Sequence, residues 1–252
     1  MKQDKDKSNN REVRLLSDEQ GLFLECDELI LRGDFSRMLP RIRPGKLEHE
    51  LLVRVSKIKD FDAPTPLAFD LTAGLGEDSI ILAAAGFKVR MYERDPLIGA
   101  LLEDSLLKIK YLASLSSHTS SSSSHSPISL SLPTSLTEED VTILAECASR
   151  MSVCLEDSIN ALSSPLTERP DIVLLDPMFP EKQKNSLSKK KLQILQMISP
   201  PCPDENELLD AALSARPKKI IVKRPLKGPF LGGKTPTYSI SGKLIRFDCI
   251  VL

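Results

Sequence analysis

The segment Asp171–Pro180 constrains the possible fold more than any other part of the chain. Its apolar run, Ile172–Leu175, has the length and composition of a strand buried on both faces of a parallel sheet. The run ends in Asp-Pro-Met-Phe at residues 176–179, and the carboxyl ends of strands in open α/β sheets face the ligand crevice. We therefore expect Asp176 to lie in a functional site. The alternative is that Asp176-Pro177 only initiates a turn after the strand.

A second strand-like run, Leu67–Leu71, leads into a glycine-containing turn and then into a predicted helix over Ser79–Ala85. The glycines of this turn, Gly74 and Gly76, allow a ligand to approach the backbone closely. The first amides of the following helix have no intrahelical partners and can face the same ligand. This order of elements is typical of a cradle for a nucleotide-type ligand.

The residues around this turn indicate which ligand it accepts. A dinucleotide-binding fingerprint has a third glycine at the position of Ser79, so a nicotinamide-dependent oxidoreductase is disfavoured. Glu77 and Asp78 add negative charge, which would repel a diphosphate but attract a ligand with a sulfonium and an amino group. The turn therefore favours a cationic ligand, such as S-adenosylmethionine (SAM), over a diphosphate.

Two further predicted strands end in polar residues that suit such a site. Phe87–Tyr92 is followed by Glu93, and a carboxylate at this position commonly binds both hydroxyls of a ribose. Met151–Leu155 is followed by Asp157 and Ser158, which in SAM enzymes would bind the adenine amine. The alternatives are a solvated charge or helix cap for Glu93 and an N-cap for Asp157 or Ser158. Together, the glycine turn, Glu93 and the Asp-Pro-Met-Phe corner suggest a SAM-dependent methyltransferase.

Length, cysteine spacing and hydropathy limit the remaining possibilities. The 252 residues suffice for one sizeable core, and the five cysteines lack any metal-ligand spacing, so we expect reduced thiols and no metal. No apolar run approaches the roughly 20 residues of a membrane span, and the N-terminus has no signal-peptide core. We expect a cytoplasmic protein with no membrane partner.

Basic residues are concentrated in the C-terminal third of the chain. Between Lys182 and Phe247, 14 Lys and Arg residues accompany four Asp and Glu residues, although the net charge of the whole chain is −1. Such an asymmetry favours a phosphate-binding face, although these lysines could instead decorate solvated helix surfaces. The candidate RNA-binding residues are Lys182, Lys184, Lys189, Lys190, Lys191, Lys223 and Arg224.

The chain is predicted to have an N-terminal extension over residues 1–66 and a main domain over residues 67–252. The extension would contain a frayed tail, a small hairpin over residues 21–32 and a helix over residues 46–59. A serine-rich stretch predicts a disordered surface insertion at about residues 113–136, because it cannot bury enough apolar surface to fold. The C-terminal residues Tyr238–Val251 predict an antiparallel hairpin at one sheet edge.

Five motifs occur in a consistent order along the chain: Asp70–Asp78 (DLTAGLGED), Val89–Arg94 (VRMYER), Leu175–Lys184 (LDPMFPEKQK), Val222–Pro225 (VKRP) and Gly242–Asp248 (GKLIRFD). In these motifs the chain resembles the small-subunit ribosomal RNA guanine-N2 methyltransferase J family of bacteria. The resemblance implies an α/β fold of the class I SAM-dependent type, Rossmann-like, with a mostly parallel sheet that ends in a C-terminal antiparallel hairpin.

The resemblance also implies an activity: SAM-dependent methylation of the exocyclic N2 amine of a guanine in small-subunit (16S-type) ribosomal RNA. We expect the Asp176 carboxylate and the Pro177 carbonyl to accept hydrogens of that amine, and Phe179 to stack on the base. The implied cofactor contacts are Gly74, Gly76, Glu77, Asp78, Glu93, Arg94, Asp157, Ser158 and Asp176. Two alternatives stay open: a SAM enzyme for a small molecule or protein amide, and a non-catalytic RNA-binding protein with the same fold.

Overall fold

Two β-sheets and the helices around them make up the described part of the protein. The structure is a computed structural model that describes residues 12–58, 65–117, 136–178, 194–195, 198 and 203–252. Within these residues the strands are β1 (Arg14–Asp18), β2 (Gly21–Cys26), β3 (Leu29–Leu31), β4 (Leu67–Asp70), β5 (Lys88–Tyr92), β6 (Met151–Cys154), β7 (Ile172–Leu175), β8 (Lys219–Pro225), β9 (Tyr238–Ser241) and β10 (Ile245–Val251). The α-helices bounded within them are α1 (Leu39–Ile42), α2 (Leu51–Ser56), α3 (Glu77–Ala84), α4 (Pro96–Ser117), α5 (Glu138–Ser149), α6 (Ser158–Ala161) and α7 (Glu205–Ser214).

The larger sheet has seven strands in the order β6-β5-β4-β7-β8-β10-β9. Strands β4 to β8 are mutually parallel, with Phe69 opposite Val173 and Leu174 opposite Ile221. Strand β10 runs antiparallel to both β8 and β9. This confirms the predicted fold class, a mostly parallel α/β sheet finished by a C-terminal hairpin. Because β4 and β7 are central, their carboxyl ends lie in the middle of one sheet edge.

Each face of this sheet carries its own apolar core, since successive side chains of a strand point to opposite faces. On β4, Ala68 packs into the cluster that contains α3, α5 and the N-terminal segment, whereas Phe69 packs into the cluster that contains α7. The ring of Phe69 meets Tyr92 edge-on at a centroid distance of 5.6 Å.

No helix in the described ranges is long and apolar enough to cross a bilayer.

The N-terminal segment contains a small sheet of three strands. The expected hairpin exists as β2 and β3, and β1 adds a third strand that pairs Leu16 with Phe23. The predicted helix over residues 46–59 is shorter: a 3-10 turn, Leu47–His49, is separated from α2 by the extended backbone of Glu50. Residues 1–11 lie outside the described chain, and the boundary at residue 66 stays a prediction.

The first residues of the predicted insertion belong to a helix. Residues 113–117 continue α4 rather than leave it, because Leu106, Ile109 and Leu112 keep packing at helical spacing one turn before. Residues 118–135 lie outside the described chain. Helix α5 starts with a capping box between Thr137 and Asp140.

Gly76 precedes α3 and needs to be glycine for two reasons. Its φ of +74° lies in the left-handed region, which side chains with a Cβ rarely adopt. A Cβ there would also lie 2.8 Å from Leu102 Cδ1 and 3.0 Å from two ring carbons of Phe35. The turn between β4 and α3 is therefore fixed by both conformation and packing.

We expect Gly76→Ala to lower the free energy of unfolding by about 2 kcal/mol or more, because it combines left-handed strain with overpacking. Gly45→Ala is the matched control: Gly45 has a φ of +76°, but a Cβ there would meet no atom within 4 Å. Its cost should be limited to about 1 kcal/mol of strain. Urea denaturation of both variants measures the difference, and equal costs would show that the contacts of Gly76 do not matter.

Candidate functional site

A pocket of about 220 Å³ opens at the carboxyl edge of the large sheet. Its walls come from the ends of β4, β5, β6, β7 and β8 and from the first turns of α3 and α7. The residues predicted from the sequence that line it are Gly74, Glu77, Asp78, Glu93, Arg94, Asp157, Ser158, Asp176, Pro177 and Lys223. Gly76 is buried beside the pocket and shapes the turn rather than the wall. The parallel sheet thus brings together residues that are up to 149 positions apart, from Gly74 to Lys223.

An ion-paired cluster joins three strands and a helix on one side of this pocket. The Lys223 ammonium lies 2.9 Å from an Asp176 carboxylate oxygen and 2.6 Å from an Asp78 oxygen. The Asp176 amide donates a 2.6 Å hydrogen bond to Thr72 Oγ1, at the end of β4. The Asp176 corner is therefore held at both its backbone and its side chain. We call Asp78, Asp176 and Lys223 the lysine cluster.

The pKa shifts within the lysine cluster follow from its geometry. Burial alone would lower the pKa of Lys223, but the Asp176 and Asp78 carboxylates outweigh it and raise that pKa above the ordinary lysine value. Desolvation by the pocket walls raises the pKa of Asp176, and the Lys223 ammonium opposes this shift. Lys223 thus stays protonated and favours the ionised form of Asp176.

Asp70 is a pocket carboxylate to which the sequence analysis gave no role. It ends β4, is 2% exposed, and accepts hydrogen bonds from Ser79 Oγ at 2.6 Å and from the Thr72 amide at 3.2 Å. Burial raises its pKa to about 7, with Asp78 adding to the effect and Ser79 opposing it. Ser79, the residue that argued against a dinucleotide, therefore serves to hold Asp70. The signal that identified Asp176, a carboxylate at the end of a buried strand, applied equally to Asp70.

Glu93 binds the glycine turn directly. Its carboxylate accepts 2.8 Å hydrogen bonds from the amides of Gly74 and Asp95, and burial raises its pKa although both hydrogen bonds oppose this. A Cβ on Gly74 would meet no protein atom within 4 Å, so the space above this residue belongs to the pocket. The turn is thus open to a ligand at the point where Glu93 supports it.

At the other end of the pocket, Arg94 links the strand tips to α7. Its guanidinium lies 3.1 Å from Asp204 and 3.6 Å from Asp157. Asp157 also caps α6 by accepting from the Ile159 amide at 2.8 Å, and Ser158 Oγ donates to the Leu71 carbonyl at 3.0 Å. The alternative capping role of Asp157 is therefore present in the structure, and it leaves the carboxylate on the pocket wall.

Two residues predicted to bind RNA phosphates have other partners. Lys223 lies in the pocket within the lysine cluster, as described above. The Arg224 side chain is 0% exposed, and its guanidinium pairs with both carboxylate oxygens of Glu205 at 3.0–3.1 Å. Strand β8 continues through Pro225, so Lys223 and Arg224 alternate to opposite faces and neither reaches the surface as a loop residue would. The Glu205 pair leaves the buried Arg224 guanidinium no exposed face for a phosphate, and the phosphate role of Lys223 stays a prediction.

The remaining predicted residues lie outside the described part of the chain. These are Phe179, expected to stack on a base, and the lysines at 182, 184, 189, 190 and 191. Only the first three residues of the Asp-Pro-Met-Phe corner, Asp176 to Met178, are therefore described. Leu195, which is described, also lines the pocket.

The charge of the pocket indicates what it can bind. Seven carboxylates and two cations line it among the described residues: Asp70, Glu77, Asp78, Glu93, Asp157, Asp176 and Asp204 against Arg94 and Lys223. Such an excess favours a cationic ligand and disfavours a phosphate. SAM fits these residues: its sulfonium and ammonium suit the carboxylates, its ribose suits Glu93, and the glycine turn is open to it. The described residues contain no group of three or more His, Cys, Asp and Glu side chains arranged to hold a metal ion.

Comparison with known proteins agrees with this chemistry. A family model of SAM-dependent methyltransferases matches residues 3–126 and 112–252. Proteins named ribosomal RNA small subunit methyltransferase J are similar to the chain: the one from Hahella chejuensis is 38% identical over 73% of the chain and 57% of its own length. The one from Nitrosococcus oceani is 35% identical over 82% of the chain and 70% of its own length. The chain spans 57% to 64% of the length of the first five such relatives.

A solved structure gives the same fold. The SAM-dependent methyltransferase from Neisseria gonorrhoeae superposes with a TM-score of 0.64 at 23% identity, covering 96% of this chain and 84% of that one. At this identity the likeness supports the class I architecture alone, which the strand order shows independently.

We expect the stability of the protein to fall as the pH rises from about 4 to about 7, to the extent that Asp70 contributes. In this range the folded state keeps a proton on Asp70 that the unfolded state has released, because the folded pKa is about 7 and the ordinary value is 3.8. Asp70→Asn removes this contribution, so the difference in unfolding free energy between variant and wild type should change with a slope of at most about 1.4 kcal/mol per pH unit. Urea denaturation at pH 4.5, 5.5, 6.5 and 7.5 measures it. A pH-independent difference would place the Asp70 pKa near its ordinary value.

Proposed function

The chain belongs to the ribosomal RNA small subunit methyltransferase J family of SAM-dependent methyltransferases, and we propose that it methylates the exocyclic N2 amine of a guanine in small-subunit ribosomal RNA. The cofactor is SAM, and the proposed site of action is the cytoplasm. The observation that carries the proposal is the Asp176 corner: a carboxylate at the end of a central strand, held by Thr72 and Lys223 and facing an acidic pocket.

The residues proposed to hold SAM are those whose charge and position suit its parts. Glu93 offers carboxylate lone pairs to the ribose hydroxyls, in addition to the two backbone amides that it accepts from. Asp157 stands at the tip of β6, on the side proposed for adenine, and Asp70 and Asp78 supply negative charge for the cationic groups. When bound, SAM supplies an electrophilic methyl group next to this wall.

The reaction requires the N2 amine of guanine to become a better nucleophile, because its lone pair is delocalised into the ring. Hydrogen-bond acceptors aimed at its hydrogens localise that lone pair. The Asp176 carboxylate and the Pro177 carbonyl are the acceptors in our proposal, and the ionised form of Asp176 is the stronger acceptor. Lys223 favours this form, so it is a positioning residue that acts through Asp176.

The guanine has to leave its helix or be unpaired to reach such a pocket. Phe179 and the lysines at 182–191 keep their predicted roles in stacking and phosphate binding as part of this proposal. The fixed position of the Asp176 backbone would orient the amine, and orientation provides much of the rate when no covalent enzyme intermediate is needed.

Asp176→Ala should reduce methyl transfer by roughly 10²–10⁴-fold while the protein stays folded, because the amine loses its charged acceptor. The assay is transfer of tritiated methyl from SAM to ribosomal RNA of a strain that lacks the enzyme, followed by identification of the product nucleoside. Wild type should yield N2-methylguanosine. Asp210→Asn, on the exposed face of α7, is the control and should retain full activity. A different labelled nucleoside, or an unlabelled RNA, would contradict the proposed function.

Lys223→Met should shift the acidic limb of the kcat profile to higher pH. Without the ammonium, desolvation of Asp176 is no longer opposed, so its pKa rises and a smaller fraction is ionised near neutral pH. Lys223→Arg keeps the charge and should keep the limb near its wild-type position. If Lys223→Met lowers kcat equally at every pH, Lys223 does not act through the ionisation of Asp176.

A further inference from the structure

The acidic pocket creates a problem for an RNA substrate. Seven carboxylates that suit a cationic cofactor repel the phosphates on both sides of the target base. The two basic residues closest to the catalytic corner do not compensate, because Lys223 is engaged with two carboxylates and Arg224 is buried against Glu205. The phosphates next to the target must therefore be bound by cations outside the pocket.

The GKLIRFD motif, which has no role in the pocket, positions a surface that carries such cations. Arg246, in the GKLIRFD motif of β10, is buried, and all five of its guanidinium N–H donors are used. Two go to the Asp248 carboxylate at 2.8 and 3.0 Å. The others go to the carbonyls of Pro225, Leu226 and Gly228 at 2.8–2.9 Å. Arg246 thus fixes the loop that follows β8.

This loop lies at the same edge of the sheet as the pocket. Lys223 lines the pocket, β8 ends two residues later at Pro225, and the loop follows. Leu231 anchors its other end in the apolar cluster that also contains Leu208, a pocket residue. Because Ile245 pairs with Pro225, the turn between β9 and β10 reaches this edge as well.

The outward side of the loop and the turn is both basic and apolar. Leu226 is 41% exposed, Phe230 38% and Leu244 73%, and Lys227 and Lys243 are exposed beside them. The Phe230 ring is held over the Arg246 guanidinium at 5.1 Å from its centroid. We call these five residues the ridge.

No carboxylate neutralises the ridge from within its own part of the chain. The sequence from Ala211 through Phe247 contains no Asp and no Glu. Lys227 and Lys243 take part in none of the ion pairs found between described residues. Two lysines with no ion pair among the described residues, beside exposed apolar side chains, match the phosphates and base faces of single-stranded RNA.

We propose that the ridge binds the RNA that flanks the target nucleotide, with Lys227 and Lys243 on phosphates and Phe230 and Leu244 against bases. The proposal rests on the proposed function for the identity of the RNA. Arg246 is the positioning residue, since it holds the loop rigid without reaching the surface. In this proposal the pocket binds the cofactor and the target base, and the ridge binds the flanking RNA.

The test compares two double variants that lose the same charge at opposite edges of the sheet. Lys227→Ala with Lys243→Ala removes the ridge cations. Lys57→Ala with Lys88→Ala removes two exposed lysines at the amino edge, where Lys88 starts β5 and the Lys57 carbonyl accepts from Lys219. Affinity of the full chain for a small-subunit ribosomal RNA fragment is measured from 50 to 200 mM salt, with SAM affinity by calorimetry and kcat at saturating RNA.

The ridge variant should bind RNA about 10-fold more weakly at low salt, and the slope of log affinity against log salt should fall by about 1.4–1.8, the value for two lost phosphate contacts. SAM affinity and kcat should not change, and the control should match wild type. Equal slopes for the two double variants, or no binding of the wild-type chain to RNA, would overturn the proposal. Binding does not depend on methyl transfer, so an inactive wild type that still shows the ridge effect would contradict the proposed function alone.

Discussion

The lysine cluster is the interaction on which the site depends. Several parallel strands end at one edge, and the chain places a carboxylate at or near the end of most of them. Without a cation, neighbouring carboxylates in a partly desolvated pocket would repel one another and take up protons. Lys223 offsets the repulsion between Asp176 and Asp78, and Arg94 offsets the repulsion between Asp157 and Asp204.

The surplus of negative charge that remains has two consequences. It suits a cofactor that carries a sulfonium and an ammonium, and it repels phosphates such as those of the proposed RNA substrate. Cofactor binding and backbone binding therefore need separate surfaces. The buried pair of Arg246 and Asp248 connects the two, because it fixes the loop that leaves the pocket edge and turns its lysine and aromatic residue outward.

The sequence indicates where residues at strand ends lie, but it does not indicate where residues inside strands point. Asp176, Glu93 and Asp157 follow apolar runs whose ends are visible in the sequence, and parallel pairing brings such ends together. Lys223 and Arg224 looked equivalent as neighbouring basic residues. They differ because β8 continues past them, so that alternation sends one to the pocket and the other beneath α7. Composition alone also does not indicate that Ala113 to Ser117 continue α4.

By itself, the sequence determined the class of fold and the chemistry of its open edge: apolar runs of strand length, a Gly-x-Gly turn and carboxylates at the run ends are local features. The tertiary structure decided which charges neutralise each other. Asp78 and Lys223 are 145 residues apart, and Arg43 pairs with Asp140 across 97 residues. Whether a lysine is a ligand contact, a counter-ion or a free surface charge depends on the distance to such partners, and only the packed sheet sets that distance.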